Sequence, residues 1–154
     1  MRKSIHFIWW ILLALVILIQ FYPCKIPDSV TENPKDLLLS EQIPEEISVL
    51  LKGACYDCHS NETTYPFYSY VAPFKWLITR DINLGRADLN FSEWGDLKKR
   101  EKIKVLSEIA EEVEEGNMPF PPYKITHAEA RLTDNQIKGL IAWTEGLSEK
   151  IMAE

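Results

Sequence analysis

The 154-residue chain has no excess of positive charge: 17 Lys and Arg stand against 23 Asp and Glu, for a net charge of −6. That balance argues against nucleic acid as a partner, because phosphate backbones are bound by basic patches. It suits a basic protein partner or simple solubility. Cysteine is scarce. Cys24, Cys55 and Cys58 are too few for a disulfide framework, and no second cysteine pair exists to complete a four-ligand zinc site. The histidines are also three, His6, His59 and His127, which keeps the set of possible metal ligands short. Alternating strands of useful length, internal repeats and a glycine-rich phosphate loop are all missing. What remains is the pattern of an all-α chain.

Within it stands Cys55-Tyr56-Asp57-Cys58-His59, a C-x-x-C-H run and the attachment signature of a c-type haem. Two thiols at i and i+3 share one face of a helical turn and can add to the two vinyl groups of one haem. The histidine beside the second cysteine then lies under the iron as proximal ligand. Competing chemistries fit less well. Zinc would have to recruit His127 to Cys55, Cys58 and His59. A thioredoxin-like pair belongs at a helix start in a βαβ setting, and a structural disulfide leaves His59 unexplained.

For the opposite face of the iron the sequence offers Met118, His127 or no protein ligand. Met118 belongs to Asn117-Met118-Pro119-Phe120-Pro121-Pro122-Tyr123, whose prolines make a stiff, non-helical loop. A stiff loop loses little entropy in holding a residue at a fixed task. Methionine–histidine ligation would raise the reduction potential, and a weak or absent sixth ligand would admit a small molecule.

Ile5 to Tyr22 is almost continuously apolar, with Arg2 and Lys3 before it. This predicts a transmembrane helix with the remainder of the chain outside the cytoplasm. No small-x-small cleavage site follows, and Pro23 before Cys24 is a poor lipoprotein context. The expected organisation is an anchor over 1–24, a proline-rich linker over 25–40 and a haem-binding domain over 41–154. The expected location is the periplasmic side of the inner membrane, with Cys24 a bystander.

In the domain, Ile43, Ile47, Leu50, Leu51 and Ala54 follow one buried helical face, predicting a helix from about Pro44 to Cys58. An aromatic section from Tyr65 to Trp94 is interrupted by Pro73, which predicts a helix from Phe74 with Gly85 as its stop. Aromatic rings cover a flat cofactor as well as they fill an ordinary core. A further helix is predicted over Asp96–Glu115, ending at Gly116, with bases crowding its first half and acids its second. That order is the reverse of the one the helix dipole favours, which is acids first and bases last. A last helix opens at Thr133, where Thr133 and Gln136 match a capping box.

These pieces together resemble the bacterial haem-binding domain family of small, membrane-anchored, c-type cytochrome-like proteins. The resemblance runs roughly from Ile43 to Trp143. It is carried by Cys55-Tyr56-Asp57-Cys58-His59-Ser60-Asn61, by Gly85-Arg86-Ala87-Asp88-Leu89-Asn90-Phe91-Ser92-Glu93-Trp94, by Met118-Pro119, and by Tyr123, His127, Ala130, Leu132 and Thr133. Phe67 after Pro66 departs from the tryptophan usual in the family. The resemblance implies a mono-haem, cytochrome c-like domain, with one covalent haem c held by Cys55, Cys58 and His59 and Met118 opposite. The expected role is that of an electron carrier rather than an enzyme, exchanging single electrons with a redox partner protein. The alternatives are a haem-based sensor or small peroxidase with an exchangeable sixth ligand, and a structural subunit whose haem only stabilises the fold.

Overall fold

The structure is a computed structural model and describes residues 2–153. In chain order it contains α1 (Arg2–Gln20), α2 (Leu37–Ser40), α3 (Glu45–Ala54), α4 (Tyr56–His59), α5 (Phe74–Asp88), α6 (Lys99–Glu114), α7 (Tyr123–Thr126) and α8 (Asp134–Ala153). Short 3-10 turns lie at Phe67–Tyr70, Phe91–Asp96 and Ala128–Ala130. Among the described residues there is no strand, and the fold is all-α.

The core is built on α6 and α8. Leu106 and Val113 of α6 meet Leu140, Leu147 and Ile151 of α8 in one buried cluster. The Lys99 ammonium, at the start of α6, donates to the Met152 carbonyl at the end of α8 (3.0 Å), so the two helices run antiparallel. Glu101 accepts from the Lys98 N–H (2.7 Å), which places one acid at the N-terminus of α6 amid its bases. Gly116 ends that run with φ +76°, a conformation that costs a residue with a Cβ. At α8, Thr133 N–H donates to Gln136 Oε1 (2.8 Å) and Gln136 N–H to Thr133 Oγ1 (3.4 Å), the capping box read from the sequence.

Several boundaries differ from expectation, each for a local reason. The helix expected over Pro44–Cys58 is split at Cys55, whose backbone (φ −126°, ψ −39°) turns the following α4. The helix expected from Asp96 starts at Lys99, because Asn90 caps a 3-10 turn that buries Phe91 and Trp94. Gly85 does not end α5. The helix continues through it to Asp88, and Gly85 is buried at a helix crossing. The linker expected over 25–40 is not a free spacer. Tyr65 O–H donates to the Pro27 carbonyl (2.7 Å), and Val30 N–H donates to the Asn61 carbonyl (2.7 Å). Asp36 and Leu37 are buried, Leu37 completely.

The apolar N-terminal segment is helical, as α1. Among the described residues, however, no helix is long and apolar enough to cross a membrane. The physical limit on the expected span is length. α1 has 19 residues, which include Arg2, Lys3, His6 and Gln20, against the roughly 20 apolar residues a bilayer core requires.

One ionic centre ties the N-terminal part of the domain to the helical hairpin. The nearly buried Glu41 carboxylate accepts from Trp94 Nε1 (3.1 Å) and lies 3.3 Å from Lys150 and 3.6 Å from Lys102. Lys102 also sits 5.1 Å over the Trp94 ring. Burial raises the Glu41 pKa, but the bonds from Trp94 and Lys150 and the charge of Lys102 outweigh it, and the net direction is down. Its folded-state pKa is therefore below its unfolded one. The stabilisation is full above the ordinary carboxylate range and is lost as pH falls through the folded value. Glu41→Gln should lower stability at neutral pH by about 1–2 kcal/mol and flatten the acid limb of the stability–pH curve, as measured by urea unfolding across pH.

Candidate haem site

The site starts from a backbone contact. A Cβ on Gly85 would lie 2.7 Å from the Cys58 carbonyl oxygen and 3.2 Å from Cys58 Cβ. Only glycine lets α5 approach the cysteine turn this closely. At that approach, carbonyls of α5 and its C-cap come within reach of His59. His59 Nδ1 is 2.9 Å from the Gly85 oxygen and 3.2 Å from the Leu89 oxygen. A carbonyl oxygen can only accept, so Nδ1 carries the proton. In the neutral ring that leaves Nε2 with a free lone pair, the tautomer a metal requires. Burial lowers the His59 pKa, against a smaller opposite effect of the two carbonyls, and keeps the ring neutral.

The 89–94 stretch supports the same turn from beneath. Phe91 stacks on Tyr56 (5.2 Å, 14°) and meets His59 edge-on (6.4 Å). Tyr56 O–H donates to Asp36 Oδ1 (2.8 Å), and Ser92 O–H donates to Asp36 Oδ2 (3.3 Å). Arg86 donates to the Ser60 carbonyl (2.8 Å) and Thr63 Oγ1 (3.0 Å). Asn90 Nδ2 donates to Asn61 Oδ1 (3.0 Å), and Asn61 Nδ2 donates to Asn33 Oδ1 (3.3 Å). The two sequence blocks that carried the resemblance are thus halves of one hydrogen-bonded unit.

Cys55 and Cys58 are both free. Burial, reinforced by Cys58, pushes the Cys55 thiol up to about 12. Burial, then the charges of Asp57 and Asp81, push Cys58 up to about 11. Both are thiols at neutral pH, unlike the thiolates of a zinc site or a reactive redox pair. Among the described residues no group of three or more His, Cys, Asp or Glu side chains could hold a metal ion, so the four-ligand zinc alternative finds no support.

A cavity of about 320 Å³, at the small end for ligand pockets, opens beside the turn. Cys58 and His59 line it together with Met118, Ala54, Leu84 and Phe120. Cys55 does not line it; its half-buried side chain packs against the core. Met118 is held by its own N–H, which donates to the Glu112 carbonyl at the end of α6 (2.9 Å). The other end of the proline loop is tied back by Tyr123 O–H, which donates to Asp57 Oδ2 within the cysteine motif (2.7 Å). His127 is elsewhere. It stacks on Tyr123 (3.8 Å, 9°), has Nδ1 near Thr126 Oγ1, and lines a second cavity of about 260 Å³.

These residues fit a haem. The set comprises a neutral imidazole with Nε2 free, the Cys58 thiol and the Met118 thioether on one largely apolar cavity, with the second thiol, Cys55, one helical turn from Cys58 and outside the lining. Sequence reasoning named Asn61, Arg86 and Tyr123 only as part of the resemblance, with no contact assigned, and passed over Asp36; the partners of all four are distant in the chain. The only signal for them was their place in or near the motif blocks.

Gly85→Ala forces a methyl against Cys58 backbone atoms that cannot rotate away. It should destabilise the fold by about 1–3 kcal/mol. It should also loosen the His59 hydrogen bonds, which denaturant unfolding and retention of haem by the purified chain would report.

No curated protein and no solved structure matches the chain. A family model described as a haem-binding domain matches residues 14–146, a span from the second half of α1 into α8 that contains every residue of the site. With His59 oriented for a metal at an apolar cavity and a match over most of its length, the chain belongs to the haem-binding domain family.

Proposed function

We propose that this haem protein is a mono-haem, c-type electron carrier held at a membrane. The observation that carries the reading is His59, fixed by two carbonyls with Nε2 free, in the same cavity as Cys58 and Met118. Cys55 and Cys58 would hold one haem c covalently. Each would do so as a thioether, by addition of its S–H across one vinyl group, which balances without an oxidant. His59 and Met118 would hold the haem iron. The bound haem supplies a one-electron ferric–ferrous couple. The chain's own share is ligation, exclusion of water by Leu84, Phe120 and the proline loop, and a docking surface for a redox partner protein. No substrate chemistry is assigned to it, and it is read as a carrier, not an enzyme.

The N-terminal helix supports the membrane part of this reading. Phe7, Trp9, Trp10, Ile11, Leu12, Leu13, Leu15, Val16, Ile17 and Leu18 of α1 are all exposed. A helix apolar on every side calls for an apolar surrounding. We assign that surrounding to lipid, with the domain tethered on the periplasmic face of the inner membrane.

Covalent attachment is tested by a haem stain after denaturing electrophoresis. The haem should stay with the chain, and Cys55→Ala with Cys58→Ala should release it. Met118 is tested in the purified holoprotein. The ferric spectrum should carry the long-wavelength charge-transfer band of methionine-ligated haem. Met118→Ala should abolish it and lower the reduction potential by on the order of 0.1 V. Ready binding of carbon monoxide to the reduced wild-type protein would instead mark an exchangeable sixth position, and a sensor or peroxidase in place of a carrier.

A further inference from the structure

The haem domain carries an uncharged aromatic surface that the proposed function does not use. From Thr63 to Phe74 the sequence contains no charged residue and five aromatic ones. Several large side chains here are turned outward: Phe67 is 84 % exposed, Tyr70 60 %, Phe74 53 % and Val71 46 %. They occupy the 3-10 turn Phe67–Tyr70 and the start of α5, a contiguous piece of chain. Contiguous exposed apolar surface of this kind marks an interaction site.

Its position relative to α1 indicates what covers it. The Gln20 side chain, in the last turn of α1, forms a two-point amide pair with Ala72. Gln20 Nε2 donates to the Ala72 carbonyl (3.2 Å), and the Ala72 N–H donates to Gln20 Oε1 (2.9 Å). Two residues on, Tyr22 meets Trp76 of α5 edge to face (5.6 Å, 78°). Ala72 is next to Val71 and two residues from Tyr70. The end of the apolar helix is therefore fastened to the edge of the aromatic surface. The chain after it is pinned as well, through Pro27, Asp28 and Val30 to Tyr65, Arg86 and Asn61. The attachment cannot swing the domain freely about a flexible leash.

We infer that the Phe67–Phe74 surface lies in the bilayer interface, as a second membrane contact that sets the orientation of the haem domain. This rests on the reading of α1 as lipid-embedded. Where α1 enters lipid, Phe21 and Tyr22, both exposed, stand at the boundary, and the Gln20–Ala72 pair carries Phe67, Tyr70, Val71 and Phe74 to the same level. Aromatic residues favour that depth, where a ring is buried and a phenolic hydroxyl stays wet. Attraction to anionic lipid is not the cause, because the chain is acidic, at −6. Contact comes from apolar insertion, so uncharged lipid serves equally. α5 then links the two sites: its first turn is at the interface, and its later turns, Leu84 to Asp88, line the haem cavity.

The test uses the full-length holoprotein in phosphatidylcholine vesicles, with Cys24→Ser removing the free thiol outside the haem motif. Single cysteines are introduced as Phe67→Cys, Leu15→Cys on α1, and Val49→Cys, which replaces a residue 65 % exposed on α3 outside the surface. Each is reacted with a bulky, membrane-impermeant maleimide and followed by mass spectrometry. A thiol held in the interface is both shielded and less ionised, so Phe67→Cys should react about ten-fold or more slowly than Val49→Cys, with Leu15→Cys blocked. Equal rates at positions 67 and 49 with Leu15→Cys blocked overturn this inference alone and leave the anchored carrier standing. Free reaction of Leu15→Cys overturns both the anchor and the orientation. Protection at position 67 that disappears on dilution into excess lipid means a second copy covers the surface, and it too overturns the inference.

Discussion

The close approach of two backbones, at Gly85 and Cys58, is the constraint on which the site depends. It brings the α5 carbonyl at Gly85 to the edge of His59, fixes the ring tautomer, and sets the height at which Leu84 and Asp88 border the cavity. Phe91 and Tyr56 fill the space below, and Asp36 holds Tyr56 and Ser92 in place. These contacts order the turn and the His59 ring, so less ordering is left for haem binding to supply.

Some of this was legible in the sequence. The apolar stripes of α3, α6 and α8 have helical periods, and the caps at Thr133 and Gly116 are local chemistry, so those elements could be read directly. The haem motif is equally local. What could not be read depended on distant partners. Gly85 looks like a helix stop because glycine usually ends helices; its reason for being there is Cys58, far away in sequence. Pro27 and Pro34 look like spacer, yet the segment between and beyond them is fastened to Tyr65, Asn61 and Tyr56 by hydrogen bonds that no periodicity reveals. His127 and Met118 are comparable as iron donors by residue type. What separates them is position: Met118 shares the cavity of His59, while His127 stacks on Tyr123 and lines the second cavity.

The proline loop joins these themes. Its start is fixed to α6 through the Met118 N–H, and its end is fixed to the cysteine motif through Tyr123 and Asp57. A thioether on an otherwise unrestrained strand would sample many positions. Pinned at both ends and stiffened by Pro119, Pro121 and Pro122, it samples few. The loop also joins the hairpin core to the haem turn.

The charge order of α6 has a consequence beyond the helix itself. Its basic half lies toward Lys99 and its acidic half toward Glu114, and the backbone dipole points the same way as the side-chain charges. The two contributions add, giving a long permanent dipole through the domain. Because Glu112 holds Met118, the negative pole is at the cavity. The acidic end of α6 favours cationic groups nearby and disfavours anionic ones. That preference fades as added salt shortens the screening length.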